Sequence, residues 1–167
     1  MHPPRLKRLP GCDYLGYRRY FVTIGARRPG APFGEAGVVG RLLEQLRQCL
    51  TEERFALPAY CFMPDHVHLV LEGLSPSSDL RRLVARWKQA TGYWFSREVG
   101  RPLWLPGYHD HVLRDNESTV NTVRYALENP LRAGLAGRMG EFPFAGSDVY
   151  TEQEIHELVN QWAGSEA

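Results

Sequence analysis

No uninterrupted apolar run in this chain approaches the roughly 18–20 residues that a membrane-crossing helix needs. The start of the chain, basic through Arg5, Lys7 and Arg8, also lacks the apolar stretch of a secretory signal. Cysteine is scarce. Cys12, Cys49 and Cys61 are odd in number and irregular in spacing, and fit neither a disulfide framework nor a zinc-binding pattern. Reduced thiols and a cytoplasmic location are the expectation. There is no internal repeat and no low-complexity tract, so solenoids and disordered linkers are set aside. Beyond Arg138 there is no further lysine or arginine.

What is present suits one compact domain. The chain has 167 residues, 43% of them hydrophobic, enough for a core without metal or disulfide staples. A formal net charge of +1 hides a polarity: residues 1–28 carry +6, and the stretch after Arg138 carries −6. Such asymmetry reads either as two solvated faces or as a basic phosphate-binding surface balanced by an acidic tail. The expected organisation is a basic N-terminal arm at 1–16, a folded domain at 17–147 and an acidic C-terminal tail with a helix at 148–167.

Periodicity places the elements. Alternation of Tyr20, Val22 and Ile24 with polar or small residues predicts a strand within 17–26. Val38, Leu42, Leu43, Leu46 and Leu50 repeat at helical spacing. Residues 55–63 are aromatic and apolar, a second strand, and Pro64-Asp65 turns the chain back. Residues 66–72 alternate strictly, with His66, His68, Val70 and Glu72 on one side and Val67, Leu69 and Leu71 on the other. A long helix over 80–99 follows, with N-caps offered by Ser75 to Ser78. A strand lies within 102–114, a helix capped by Asn116 or Ser118 runs to about Glu128, and 152–162 forms a terminal helix. The order β-α-β-β-α-β-α is the split βαβ, ferredoxin-like pattern: an α+β fold, an antiparallel sheet with helices on one face plus an extra helix.

Two segments carry chemistry. His66 and His68, one residue apart on a strand, project from the same face and can converge on one ion, although two surface histidines would read the same way. Neutral imidazole suits Zn, Mn or Fe, and also Mg where phosphate oxygens complete the shell. Tyr125 and Asn129 stand four residues apart on one helix face, so a phenol and an amide can share a small site. Their structural alternative is a packed tyrosine and a helix end before Pro130.

These segments, taken in order, resemble the REP-associated tyrosine transposases, relatives of the insertion-sequence single-strand transposases of the HUH nuclease superfamily. The Met-Pro-Asp-His-Val-His-Leu stretch at 63–69 matches that family's strand motif, and Tyr125 to Pro130 match its Tyr-x-x-x-Asn-Pro context. Further similarity covers Leu103-Trp104 and the run from His109 to Arg114, so the likeness extends over roughly residues 10–147.

The resemblance implies that His66 and His68 are metal ligands, with Asn129 in the place of the third and Glu128 as its alternative. It implies a divalent cofactor, Mg²⁺ or Mn²⁺, and Tyr125 as a nucleophile that leaves a 5′-phosphotyrosine. The expected activity is a metal-dependent endonuclease and strand transferase on single-stranded DNA near palindromic REP-type hairpins. Rival readings are a non-catalytic hairpin-binding protein and a metal-dependent hydrolase using water. A nucleoid-associated monomer or homodimer is expected. The arm (Arg5, Lys7, Arg8) and the 80–99 helix (Arg81, Arg82, Arg86, Lys88) are candidate DNA contacts. Trp87 and Trp94, seven apart, read as core residues ahead of base-stacking platforms. A second pair, His109 and His111, reads as strand surface or backbone contact ahead of a second metal site, and Cys61 as a packed residue ahead of a ligand.

Overall fold

The alternating patterns form the three central strands, and their register decides which side chains share a face. The computed structural model describes residues 10–163, so Arg5, Lys7 and Arg8 lie outside the described residues. Strands β1 (Arg19–Gly25), β2 (Phe55–Met63), β3 (His66–Gly73), β4 (His109–Val112) and β5 (Ala145–Gly146) make one antiparallel sheet in the order β4-β1-β3-β2-β5. Helix α1 (Ala36–Glu53) joins β1 to β2, and α2 (Leu80–Val99) joins β3 to β4. That is the expected ferredoxin-like, α+β arrangement. The short β5, and a single turn of helix, α4 (Asn129–Arg132), were not foreseen.

The sheet has two different faces. Tyr20, Val22 and Ile24 of β1 and Val67, Leu69 and Leu71 of β3 enter the main core against Leu42 and Leu46 of α1 and Leu83 and Trp87 of α2. On the opposite face Ala59 and Val70 meet Val123, Ala126 and Leu127 of helix α3 (Thr119–Leu127). Tyr150 and Ile155, the latter in helix α5 (Glu152–Ala163), pack against this second cluster. The pairs Phe21↔Val70, Thr23↔His68 and Gly25↔His66 put Phe21, Thr23 and both histidines on that second face. So the histidines stand opposite α1 and α2.

Several boundaries differ from the sequence reading, each for a local reason. Helix α1 runs on to Glu53 because Arg54 caps it in a left-handed conformation, φ 56°. Helix α2 spans the expected residues, yet its cap is Asp79, whose carboxylate accepts the amides of Arg81 and Arg82. The serines are otherwise engaged: the Ser78 hydroxyl donates to the carbonyl of Arg54 at 2.7 Å. Strand β4 is short because Pro102, Pro106 and Gly107 interrupt its approach, leaving Trp104 an isolated bridge to Ala26. Tyr14, expected in the arm, is buried to 1% exposure, and Leu15 bridges Asp79.

The cations of α2 have partners within the chain. Arg82 and Arg86 converge on Glu53, a carboxylate only 3% exposed, and Arg86 also pairs with Glu52. Arg81 donates to the carbonyl of Asp13 at 3.1 Å. Lys88 donates to the carbonyls of Leu105 and Gly107, and burial lowers its pKa. Trp87 is fully buried, its indole N–H donating to Leu42, so it cannot stack on a base. Tyr93 is exposed.

A buried carboxylate left without its guanidinium partners is costly. Glu53→Ala is expected to lower unfolding free energy by about 1 kcal/mol, because the two arginines it leaves are half-exposed and Arg86 keeps its pair with Glu52. Arg82→Ala and Arg86→Ala, each removing a half-exposed partner, should cost about 1 kcal/mol apiece. Urea unfolding of the three variants measures this.

Candidate active site at the histidine pair

Strand β3 delivers His66 and His68 to one face, and the neighbours of each ring fix how it points. The two Nε2 atoms approach to 3.1 Å, with ring centroids 4.7 Å apart and nearly perpendicular planes. Each Nδ1 is held on the far side, His66 by the Asp65 carboxylate at 2.8 Å and His68 by the Thr23 hydroxyl at 2.9 Å. Phe21 stacks on the His68 ring at 5.3 Å and 21°. Both imidazoles thus present Nε2 to a common point, the geometry of a shared cation site. Burial, the neighbouring His66 and the charge of Arg132 lower the His68 pKa to about 4, so this ring is neutral near pH 7.

Tyr125 comes from α3, across the same face. Its ring packs edge-on against Phe21 at 5.7 Å, so a single aromatic ring separates it from His68. The side chain is 55% exposed. Ser118 caps the start of α3, accepting from the amide of Asn121, and the chain bends at Glu128 into α4. That bend returns Arg132 to the tyrosine. Its guanidinium lies over the Tyr125 ring, 4.2 Å from the centroid, and donates to the Tyr125 carbonyl at 2.7 Å. Arg132 is also the cation that His68 and Cys61 feel.

Among the described residues, no group of three or more His, Cys, Asp or Glu side chains gathers into a metal-binding cluster. A third protein ligand beside the histidines would therefore come from another residue type. Asn129 suits that role chemically: its amide nitrogen donates to the carbonyls of Tyr125 and Ala126, which reserves the amide oxygen as an acceptor. Glu128, the alternative, is paired with Arg124 at 2.7 Å and Arg132 at 3.5 Å. Two imidazole nitrogens and an amide oxygen fit Mn²⁺ or Mg²⁺ completed by phosphate or water. The Cys61 thiol is fully buried, and that burial pushes its pKa up to about 12, so it supplies no thiolate.

The second histidine pair shares this face, since His109 pairs with Thr23 and His111 with Phe21. His111 contacts Glu117 at 2.8 Å, whereas Nδ1 of His109 is buried without a hydrogen-bond partner. The α2 cations are not brought to the site. Sequence reasoning did not single out Thr23, Phe21 or Arg132. Arg132 alone had a visible signal, lying seven residues, two helical turns, beyond Tyr125.

A ferredoxin-like sheet with paired histidines on its central strand and a tyrosine helix across the same face is the arrangement expected from the resemblance to single-tyrosine transposases. The comparisons agree. A family model described as "Transposase IS200 like" matches residues 21–128, and the chain belongs to that family of enzymes. A REP-associated tyrosine transposase of Escherichia coli K12 is 20% identical, over 89% of this chain and 90% of that one. A Haemophilus influenzae protein provisionally described in the same terms is 23% identical, over 66% of this chain and 68% of its own length. The solved structure of a REP-associated tyrosine transposase bound to a REP hairpin superposes with a TM-score of 0.67 at 18% identity, covering 79% of this chain and 78% of that one.

The depressed pKa of His68 has a measurable consequence in metal-free protein. Because the folded value, about 4, lies below the ordinary 6.5, the unfolded chain takes up the proton first as pH falls. The contribution is complete above about pH 6.5 and is lost as pH drops toward 4. Up to about 3 kcal/mol should disappear over that window. His68→Asn should flatten this part of the profile, as measured by urea unfolding in EDTA at stepped pH.

Proposed function

We propose that the protein cleaves and rejoins single-stranded DNA beside palindromic hairpins, with Tyr125 as the nucleophile. The observation that carries this reading is the placement of Tyr125 on the histidine face, one aromatic ring from His68 and beneath the Arg132 guanidinium. An open cavity of about 410 Å³ is lined by His66 together with Arg28, Ala31, Asp65, Ala133 and Leu135. It gives an extended strand a path to His66. The hairpin-bound relative supports a DNA hairpin as partner.

The chain's own residues divide the work. The Tyr125 oxygen attacks the scissile phosphorus, its P–O bond forms, the bond to the 3′ oxygen breaks, and the phenol proton is balanced by the one that the 3′-OH acquires. The product is a 5′-phosphotyrosine and a free 3′-OH, with no redox change. Because the new ester retains the energy of the old one, a second 3′-OH can reverse the step and join new ends. Arg132 holds positive charge over the attacking ring, where negative charge develops in the transition state. His66, His68 and Asn129 would hold a divalent ion, whose chemistry is Lewis-acid stabilisation of charge on the non-bridging phosphate oxygens. Arg5, Lys7 and Arg8 are the candidate hairpin contacts of the arm.

Incubating the protein with 5′- and 3′-labelled single-stranded hairpin oligonucleotides tests the proposal on denaturing gels. A covalent adduct retaining the 3′ portion of the DNA is expected. Tyr125→Phe should remove the adduct and cleavage while leaving hairpin binding within about twofold, and Arg132→Ala should slow cleavage on the order of 100-fold. Cleavage that persists in Tyr125→Phe would transfer the reaction to water, and hairpin binding without any cleavage by the native protein would leave a binding protein.

A further inference from the structure

The two histidines are held at Nδ1 by groups of different chemistry, and the difference matters. A carboxylate only accepts, so Asp65 keeps a proton on Nδ1 of His66. A hydroxyl both donates and accepts, so Thr23 can serve His68 in either tautomer. The 3.1 Å contact between the Nε2 atoms requires a proton on one of them, because two facing lone pairs repel. In a pair of neutral imidazoles with His66 protonated at Nδ1, that proton belongs to Nε2 of His68. Nδ1 of His68 then accepts from the Thr23 hydroxyl.

A divalent ion bound by both Nε2 atoms demands the opposite tautomer. The His68 proton must sit at Nδ1, and an acceptor must face it there. Thr23 meets that demand by rotating its hydroxyl hydrogen away, with no movement of heavy atoms. Its position is set by the sheet itself, since Thr23 lies directly opposite His68 in the β1–β3 register. Phe21, two residues earlier on the same face, holds the plane of the ring.

We propose that Thr23 is the positioning residue of the metal site, a hydroxyl rotor that donates to His68 in the metal-free protein and accepts from it when the cation is bound. Asp65 is its fixed counterpart on His66. The proposal rests on reading His66 and His68 as metal ligands.

The test uses the DNA-free protein, titrated with Mn²⁺ and followed by electron paramagnetic resonance of the free ion, with thermal unfolding as a check on folding. Thr23→Val keeps the shape and removes the hydroxyl, and should weaken Mn²⁺ binding about 10–100-fold. Thr23→Ala does the same without a branched side chain, and Thr23→Ser should restore binding to near the native value. Asp65→Asn keeps an accepting oxygen and should lose far less than Asp65→Ala. Nitrogen chemical shifts of the metal-free protein provide a second readout: His68 should be protonated at Nε2 in the native chain, and the tautomer mixture should change in Thr23→Val. Native Mn²⁺ affinity with an unchanged tautomer in folded Thr23→Val and Thr23→Ala would overturn the role of Thr23 while His68→Ala still abolishes binding. Native affinity in His68→Ala would instead remove the metal site, and the rotor with it.

Discussion

Everything at the site depends on the pleat of β3. Side chains on a strand alternate between faces, so burying Val67, Leu69 and Leu71 against α1 and α2 forces His66 and His68 to the opposite side. A slip of one residue would send the histidines into the apolar core and the leucines into the cleft. That slip is opposed by the whole of the main core, and by the Pro64-Asp65 turn that fixes Met63 opposite His66. The stability of one face therefore sets the geometry of the other. The histidines carry no part of the main core themselves, which leaves them free to be selected for chemistry.

The tyrosine half of the site is organised by the way a helix ends. Helix α3 stops at Leu127, and its terminal carbonyls need donors. The Asn129 amide and the Arg132 guanidinium supply them, both reaching the Tyr125 carbonyl, while Glu128 ties Arg124 to Arg132. One hydrogen-bonded unit thus finishes the helix, orients the amide oxygen and lays a cation across the tyrosine ring. Structural and chemical readings of Asn129 and Pro130 are not rivals in this light. The helix end is what makes the amide and the guanidinium available where the phenol stands.

The central motif was legible because its signals are local. Strict alternation predicts the β3 faces, five leucines and valines at helical spacing predict α1, and the span of α2 was legible although its cap is Asp79 and none of the serines before it. The partner of His68 was not legible, since it depends on register across 45 residues: nothing in the sequence tells which β1 residue meets that ring. The pairing of charges was not legible for a related reason. Arg82 and Arg86 look like a basic stripe on a helix, and Glu53, at the end of a different helix, pairs with both while leaving them half-exposed. A cation's role is set by the anion the fold brings to it, and composition counts cations without pairing them.

The two halves of the site differ in how firmly they are held. His66 and His68 stand on a central strand paired on both sides, above a core that includes Trp87, Tyr20 and Phe62. Tyr125 stands on a nine-residue helix, covered by a small cluster and joined to the sheet through Phe21. Local opening free energy follows buried apolar contact, so the tyrosine helix belongs to the lower-stability part of the molecule. For the proposed transesterification this division has a physical logic. Imidazoles that would hold a cation must keep fixed positions, because charge stabilisation falls off when donors move. In the proposed reaction Tyr125 would instead approach a phosphorus, carry the DNA end covalently and then admit a second 3′-OH, steps that suit a helix held less firmly than the histidine strand.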